Sequence, residues 1–229
     1  MSVILAIETS TELASAAILF GDSLVLRQSA GAQTHSQSIL PMVQSLLAEA
    51  SLTLKQCDAI AFGAGPGSFT GVRTACGIVQ GLAFGASLPV VPVVTLEAMA
   101  LACREATGAS SVLPILDARM EEVYWAQYRF DEGWRPVIEP ALSTVADVLP
   151  EGGVTACGNG LAAYGNLFAS RVFTQGALPG IMPHAAQVAR LGRIAFQNGR
   201  AVSPYEAQPL YLRNKVALTT AERLAKVTA

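Results

Sequence analysis

The 229-residue chain has a formal net charge of −2, 52% hydrophobic residues and only 14% charged ones, against roughly 25% charged in an average soluble domain. That excludes a global basic field that would draw the protein to nucleic acid or anionic lipid by charge alone. With so few charges, some apolar surface is expected to be shared with a partner.

In chain order, "VILAI" at 3–7 predicts a buried strand, and it carries no basic leader of the kind a secretory signal needs. Strands follow at 14–20 and 23–28, separated by the turn signal Gly21-Asp22. An amphipathic helix is expected over 36–50 and a strand over 58–62. Then come the glycine-rich "GAGPGSFTGVR" at 63–73, a helix to about 85, a strand at 90–94 and a helix at 96–103. The second half repeats this order. It has strands at 112–116, 122–130 and 134–138, a short helix near 143–149, and a strand with a glycine loop in "VTACGNG". Helices near 161–168 and 184–198 follow, and the tail after 210 reads as helical or frayed. Hairpins followed by βα units give mixed sheets with helices on their faces. The expected fold is therefore α/β, with two tandem lobes of duplicated βββαβα order. Residues 1–104 are the N-terminal lobe and 105–229 the C-terminal lobe, whose last segment is expected to pack back on the first. The stretch 77–102 is apolar but broken by Gln80, Pro89 and Pro92, so it is not a membrane span. A cytoplasmic protein without membrane contact is expected.

The glycine loop, with Gly65, Pro66, Gly67 and Ser68 at its centre, invites a phosphate-binding reading. The sharp forms of that motif fail. No lysine lies between Lys55 and Lys215, and Gly63, Gly65 and Gly67 give GxGxG rather than GxGxxG. The simpler reading is a tight connection that starts a helix, with Ser68 or Thr70 as N-cap.

Along that helix Val72, Cys76, Val79 and Ala83 fall on one face. Thr70, Thr74, Gly77, Gly81 and Gly85 fall on the other, which has no charge and no large side chain. Mid-helix glycines cost roughly 0.5–1 kcal/mol each relative to alanine. Either another element of the same lobe covers this stripe or a partner helix approaches it closely. The 36–50 helix is alike. Ile39, Val43, Leu46 and Ala50 make its core stripe, and Gln37, Pro41, Gln44 and Ala48 its uncharged outer face. Two such faces look like a docking surface.

Catalytic groups are sparse. The two histidines are His35 and His184, each at a helix start. The positions three and four residues after His35 are Ser38 and Ile39, so no metal-binding HxxxH exists. Glu8 and Asp117 end equivalent strands and are candidates for a vestigial Mg²⁺-nucleotide cleft, with Arg119 placed to pair with Asp117. Cys57, Cys76, Cys103 and Cys157 form no CxxC pair and read as buried free thiols. No metal and no cofactor is expected.

"ILAIETST" at 4–11, "HSQSILPMV" at 35–43, "GPGSFTGVR" at 65–73, "LDARMEEVYWAQY" at 116–128 and "PLYLR" at 209–213 resemble the TsaB (YeaZ) family. They span most of the chain in the right order. The resemblance implies two actin/hexokinase-like (ASKHA) ATPase-fold lobes with a degenerate active site. It implies a pseudo-enzyme that assists formation of N6-threonylcarbamoyladenosine beside the tRNA anticodon. The implied partners are a catalytic TsaD-type subunit and a TsaE-type ATPase, with a homodimer when alone and tRNA reached only through the complex. The first-lobe helices would form the pairing surface, at His35, Gln37, Pro41, Gln44, Ala48, Thr70, Arg73, Thr74, Gly77, Gly81 and Gly85. The TsaD metal pair on the first helix is reduced here to His35, and Glu8 stands where the family usually has Asp. The rival readings are an active ATP-dependent phosphotransferase of the same fold and a peptidase, the latter without a convincing Ser/His/Asp order.

Overall fold

Two mixed sheets with the same internal order organise the chain. The computed structural model describes residues 2–29 and 34–213. The first lobe runs β1 (Val3–Glu8), β2 (Ala14–Phe20), β3 (Ser23–Ser29), α1 (His35–Glu49), β4 (Ala59–Gly65), α2 (Phe69–Ala86), β5 (Val90–Val94) and α3 (Thr95–Thr107). The second runs β6 (Ser111–Asp117), β7 (Glu122–Phe130), β8 (Trp134–Thr144) and β9 (Thr155–Cys157), then single-turn helices α4 (Gly160–Ala163) and α5 (Gly165–Phe168) and the longer α6 (Ala185–Gln197). The sheet orders are β3-β2-β1-β4-β5 and β8-β7-β6-β9. In both, the three leading strands pair antiparallel and the fourth joins the first in parallel. The position of a fifth strand in the second sheet is held by a single parallel bridge, Cys157 to Leu178. This is the two-lobed arrangement that the repeated order predicts, and the actin/hexokinase-like one that the resemblance implies.

Strands buried on both faces read as continuous apolar runs, and strand alternation then sorts their side chains. Leu5 and Ile7 of β1 meet Ile39, Val43 and Leu46 of α1 and Ala75, Cys76, Val79 and Ala83 of α2. Ile4 and Ala6 point the other way, toward Ala185, Val188, Ala189 and Leu191 of α6. So α6 follows the second sheet in the chain but packs on the first. Gly192 fits there against the Ala61 methyl. Ala185 N–H donates to Ser15 Oγ at 3.0 Å and the Arg193 guanidinium to the Gly21 carbonyl at 2.5 Å. The second lobe has its own cores on either side of β6, one with α3 and one with α4 and α5.

Three local expectations are corrected. The strand expected over 134–138 extends to Thr144. The helix expected near 143–149 is only a 3-10 turn, Val145–Asp147. The helix expected over 161–168 is split at Tyr164, whose φ of −124° and ψ of 33° leave helical geometry. The tail expectation beyond 213 lies outside the described residues. All four cysteines are free and buried, and no described helix is long and apolar enough to cross a membrane.

Glu8 also departs from expectation. It shares its strand parity with Ile4 and Ala6, so it faces away from α1 and α2, while Asp117 has the parity of Leu113 and Ile115. The two acids are therefore not equivalent. Glu8 is fully buried, and any side chain at Gly63 would strike its carboxyl group. Oε1 accepts the Ser10 N–H at 2.5 Å, while Oε2 has no partner. Burial raises its pKa above the usual carboxylate range, against the Ser10 hydrogen bonds that lower it. A folded pKa above the unfolded one means that the stability this group contributes is complete below the unfolded value. It is lost as pH rises through the folded value. Glu8→Gln is neutral throughout, so its urea midpoint is expected to gain on the wild type as pH rises from acid to neutral. A difference between the two midpoints that does not change with pH would contradict this.

Candidate functional site

The glycine loop meets the first hairpin, and its glycines are explained there. After the cis Gly65–Pro66 bond, Ser68 caps α2 and accepts the Gly71 N–H at 3.4 Å. Ser68 N–H itself donates to the Ser10 carbonyl at 2.7 Å. A Cβ on Gly67 would collide with Ser10, and one on Gly71 with the Thr9 carbonyl. Thr9 Oγ1 returns a hydrogen bond of 2.7 Å to the Gly71 carbonyl. The loop therefore spends its close approach and part of its N–H complement on the chain's own backbone.

A cleft of about 520 Å³ opens between this loop and the second lobe. Ser10, His35, Ser68, Asp117, Arg119 and Tyr211 are among its lining residues. Asp117 is engaged by two neighbours. Oδ1 accepts the Arg119 N–H at 2.7 Å and the Tyr164 hydroxyl at 2.8 Å, and Oδ2 pairs with the Arg119 guanidinium at 3.1 Å. Its own N–H donates to Asn159 Oδ1 at 3.0 Å. Burial, with the adjacent Asp117 carboxylate, pushes the Tyr164 hydroxyl up to about 12. His35 Nε2 lies 3.4 Å from the Glu12 carbonyl, and His184 Nε2 lies 2.7 Å from Gln28 Oε1 on the first lobe's edge strand. Among the described residues no group of three or more His, Cys, Asp or Glu could hold a metal ion. A Mg²⁺-nucleotide does not fit these residues. The acid at the cleft already pairs with Arg119 and Tyr164, and Glu8 is sealed behind Gly63.

The predicted docking residues are brought together elsewhere. α1 and α2 lie side by side on one face of the first sheet. Gln37, Pro41, Gln44 and Ala48 are exposed, as are Thr70, Arg73, Gly77, Gly81 and Gly85, while His35 and Thr74 are half-buried. A methyl group added at Gly77, Gly81 or Gly85 would meet nothing within 4 Å. So, among the described residues, nothing of its own lobe covers the stripe. Sequence reasoning missed the aromatic groups beside it. Phe84 and Tyr205 are 64% and 77% exposed and stack edge-on at 5.7 Å. It also missed Tyr211, whose hydroxyl accepts Arg73 Nε at 2.7 Å while the guanidinium lies 3.7 Å over the Phe69 ring. The "PLYLR" segment was a motif without a role, because its partners are 138 residues away in sequence.

Comparison with known proteins follows the same lines. The family model of TsaD, tRNA N6-adenosine threonylcarbamoyltransferase, matches residues 29–219. The tRNA threonylcarbamoyladenosine biosynthesis protein TsaB of Haemophilus influenzae is 40% identical over 228 residues, covering 93% of this chain and 94% of that protein. The Escherichia coli protein of the same name is 38% identical, covering 93% and 96%. The crystal structure of YeaZ from Pseudomonas aeruginosa superposes with a TM-score of 0.85 at 38% identity, over 93% of this chain and 100% of that one. With full-length likeness in both sequence and fold, the chain belongs to the TsaB (YeaZ) family.

Proposed function

We propose that this chain is a non-catalytic scaffold subunit in the formation of N6-threonylcarbamoyladenosine in tRNA. Its relatives carry the name of that pathway. In this reading it docks on a catalytic TsaD-type subunit through the outer faces of α1 and α2, and a TsaE-type ATPase completes the assembly. Alone it pairs with a second copy, and it works in the cytoplasm. The vestigial cleft is a structural relic, and neither cofactor nor metal is required.

One observation carries the reading. Three α2 glycines open on empty space, beside exposed Leu40, Pro41, Phe84 and Tyr205. Two exposed mid-helix glycines, Gly77 and Gly81, cost about 1–2 kcal/mol relative to alanine. Nothing within the described chain offsets that, whereas a closely approaching partner helix would. The pairing of Asp117 with Arg119 and Tyr164 and the burial of Glu8 support the absence of turnover.

Purified protein with ATP and Mg²⁺ is expected to release phosphate no faster than a heat-denatured control. Turnover that Asp117→Ala abolishes would overturn the scaffold reading. Because the net charge is −2 and phosphate contacts need clustered Lys or Arg, the subunit alone is expected to give no tight tRNA gel-shift at physiological salt. Submicromolar, steeply salt-dependent binding would contradict this, with Arg190, Arg193 and Arg200 the first residues to test. Gly81→Ala is expected to stabilise the isolated fold by about 0.5–1 kcal/mol through helix propensity. Gly81→Leu should melt normally yet weaken assembly with the TsaD-type subunit about five- to hundred-fold, as overpacking of about 1–3 kcal/mol implies. Normal melting with undiminished assembly in sedimentation would show that the stripe is not the interface.

A further inference from the structure

Residues 207–213 cross from the first lobe to the second over the mouth of the cleft. At the near end the Ala207 carbonyl accepts Gln80 Nε2 at 3.0 Å, and Leu210 N–H donates to the Ala64 carbonyl at 2.7 Å. Tyr211 is gripped by Arg73 as described. Leu212 then packs into the second-lobe core beside α3. At the far end Arg213 donates to the Ala118 carbonyl at 2.8 Å and pairs with Glu122 at 2.7 Å.

Those two contacts bracket an unusual piece of backbone. Arg119, Met120 and Glu121 are consecutive non-glycine residues with φ of 64°, 59° and 61°. Left-handed backbone is unfavourable for residues with a Cβ and persists where its surroundings over-determine it. Here the turn is closed by Ala118 N–H to the Glu122 carbonyl at 3.0 Å and Glu122 N–H to the Arg119 carbonyl at 3.1 Å. A guanidinium fork spans both flanks at once, which a point-charge ammonium does less well. The Arg213 side chain is only 16% exposed, so water screens this pair less than a surface one.

We propose that residues 207–213 are an interlobe strap that holds the two sheets at one opening, with Arg213 as the clamp that positions the left-handed turn. The strap fixes the cleft as a groove of set width, where a hinge would let it close. The same clamp sets the backbone from which Arg119 reaches Asp117. This inference does not rest on the docking proposal: Tyr211 touches Arg73 of α2, but the clamp itself lies at the cleft, on Ala118 and Glu122.

Hydrogen exchange by mass spectrometry on the full chain, with small-angle scattering, tests it. In Arg213→Ala, amides of 118–124 are expected to exchange about tenfold faster while β1, β2 and β4 are unchanged, because the clamp holds the turn and the interlobe spacing but not the first sheet. The radius of gyration should rise as the lobes part. Arg213→Lys should recover part of the protection. Unchanged exchange over 118–124, equal acceleration throughout the chain, or an unchanged radius of gyration would each overturn the proposal. Should Arg213→Ala fail to fold, Glu122→Gln removes only the ion pair. It is expected to give a smaller acceleration in the same peptide, and no acceleration there would equally overturn it.

Discussion

The contact between the first hairpin and the glycine loop sets the rest of the molecule. Carbonyl groups of Thr9 and Ser10 press on Gly71 and Gly67, and Ser68 N–H closes on the Ser10 carbonyl. Only residues without a Cβ permit that approach. The contact seats the N-terminus of α2 directly against the β1–β2 connection. It leaves less of that N-terminus for an anion, although a glycine-rich strand-to-helix turn is otherwise suited to one. It also fixes which way α2 faces. With Val72, Cys76, Val79 and Ala83 turned to the sheet, Gly77, Gly81 and Gly85 must look outward.

The two faces of the first lobe follow from that placement. One side of the sheet takes α1 and α2, whose outer surface carries glycine, proline, glutamine and exposed aromatic groups. The other side takes α6, tied down by Ser15 and by the β2–β3 turn. Both candidate acids are held within the chain, although Glu8 Oε2 is left without a partner. Asp117 serves Arg119 and Tyr164, and Glu8 is packed against the Gly63 backbone. The outer α1/α2 face is thus left exposed, while the acid at the cleft is paired within the chain.

Much of this was legible in the sequence for a physical reason. Apolar runs buried on both sides fix strand existence, and a 3.6-residue stripe fixes which face of α2 is inward. The parity of Glu8 with Ile4 and Ala6 was also readable, but both sides of β1 are apolar, so the pattern did not say which side held the cleft. β8 runs past the expected 138 to Thr144, through Pro136 and Pro140. They are tolerated there because β8 is an edge strand. The seat of α6 on the first sheet, the Tyr164–Asp117 bond and the Arg213 clamp were not legible. Each joins residues far apart in sequence, and no local pattern records such pairings.

The central claim is that the α1/α2 face is the working surface and the cleft is not. Hydroxyl-radical footprinting of the chain with and without a TsaD-type subunit measures this directly at side chains. The account predicts protection of Leu40, Phe84 and Tyr205, which are exposed on that face, with Met120, Leu149 and Val172 as reactive as in the free chain. Protection of Met120 at the cleft with Leu40 and Phe84 left reactive would contradict it.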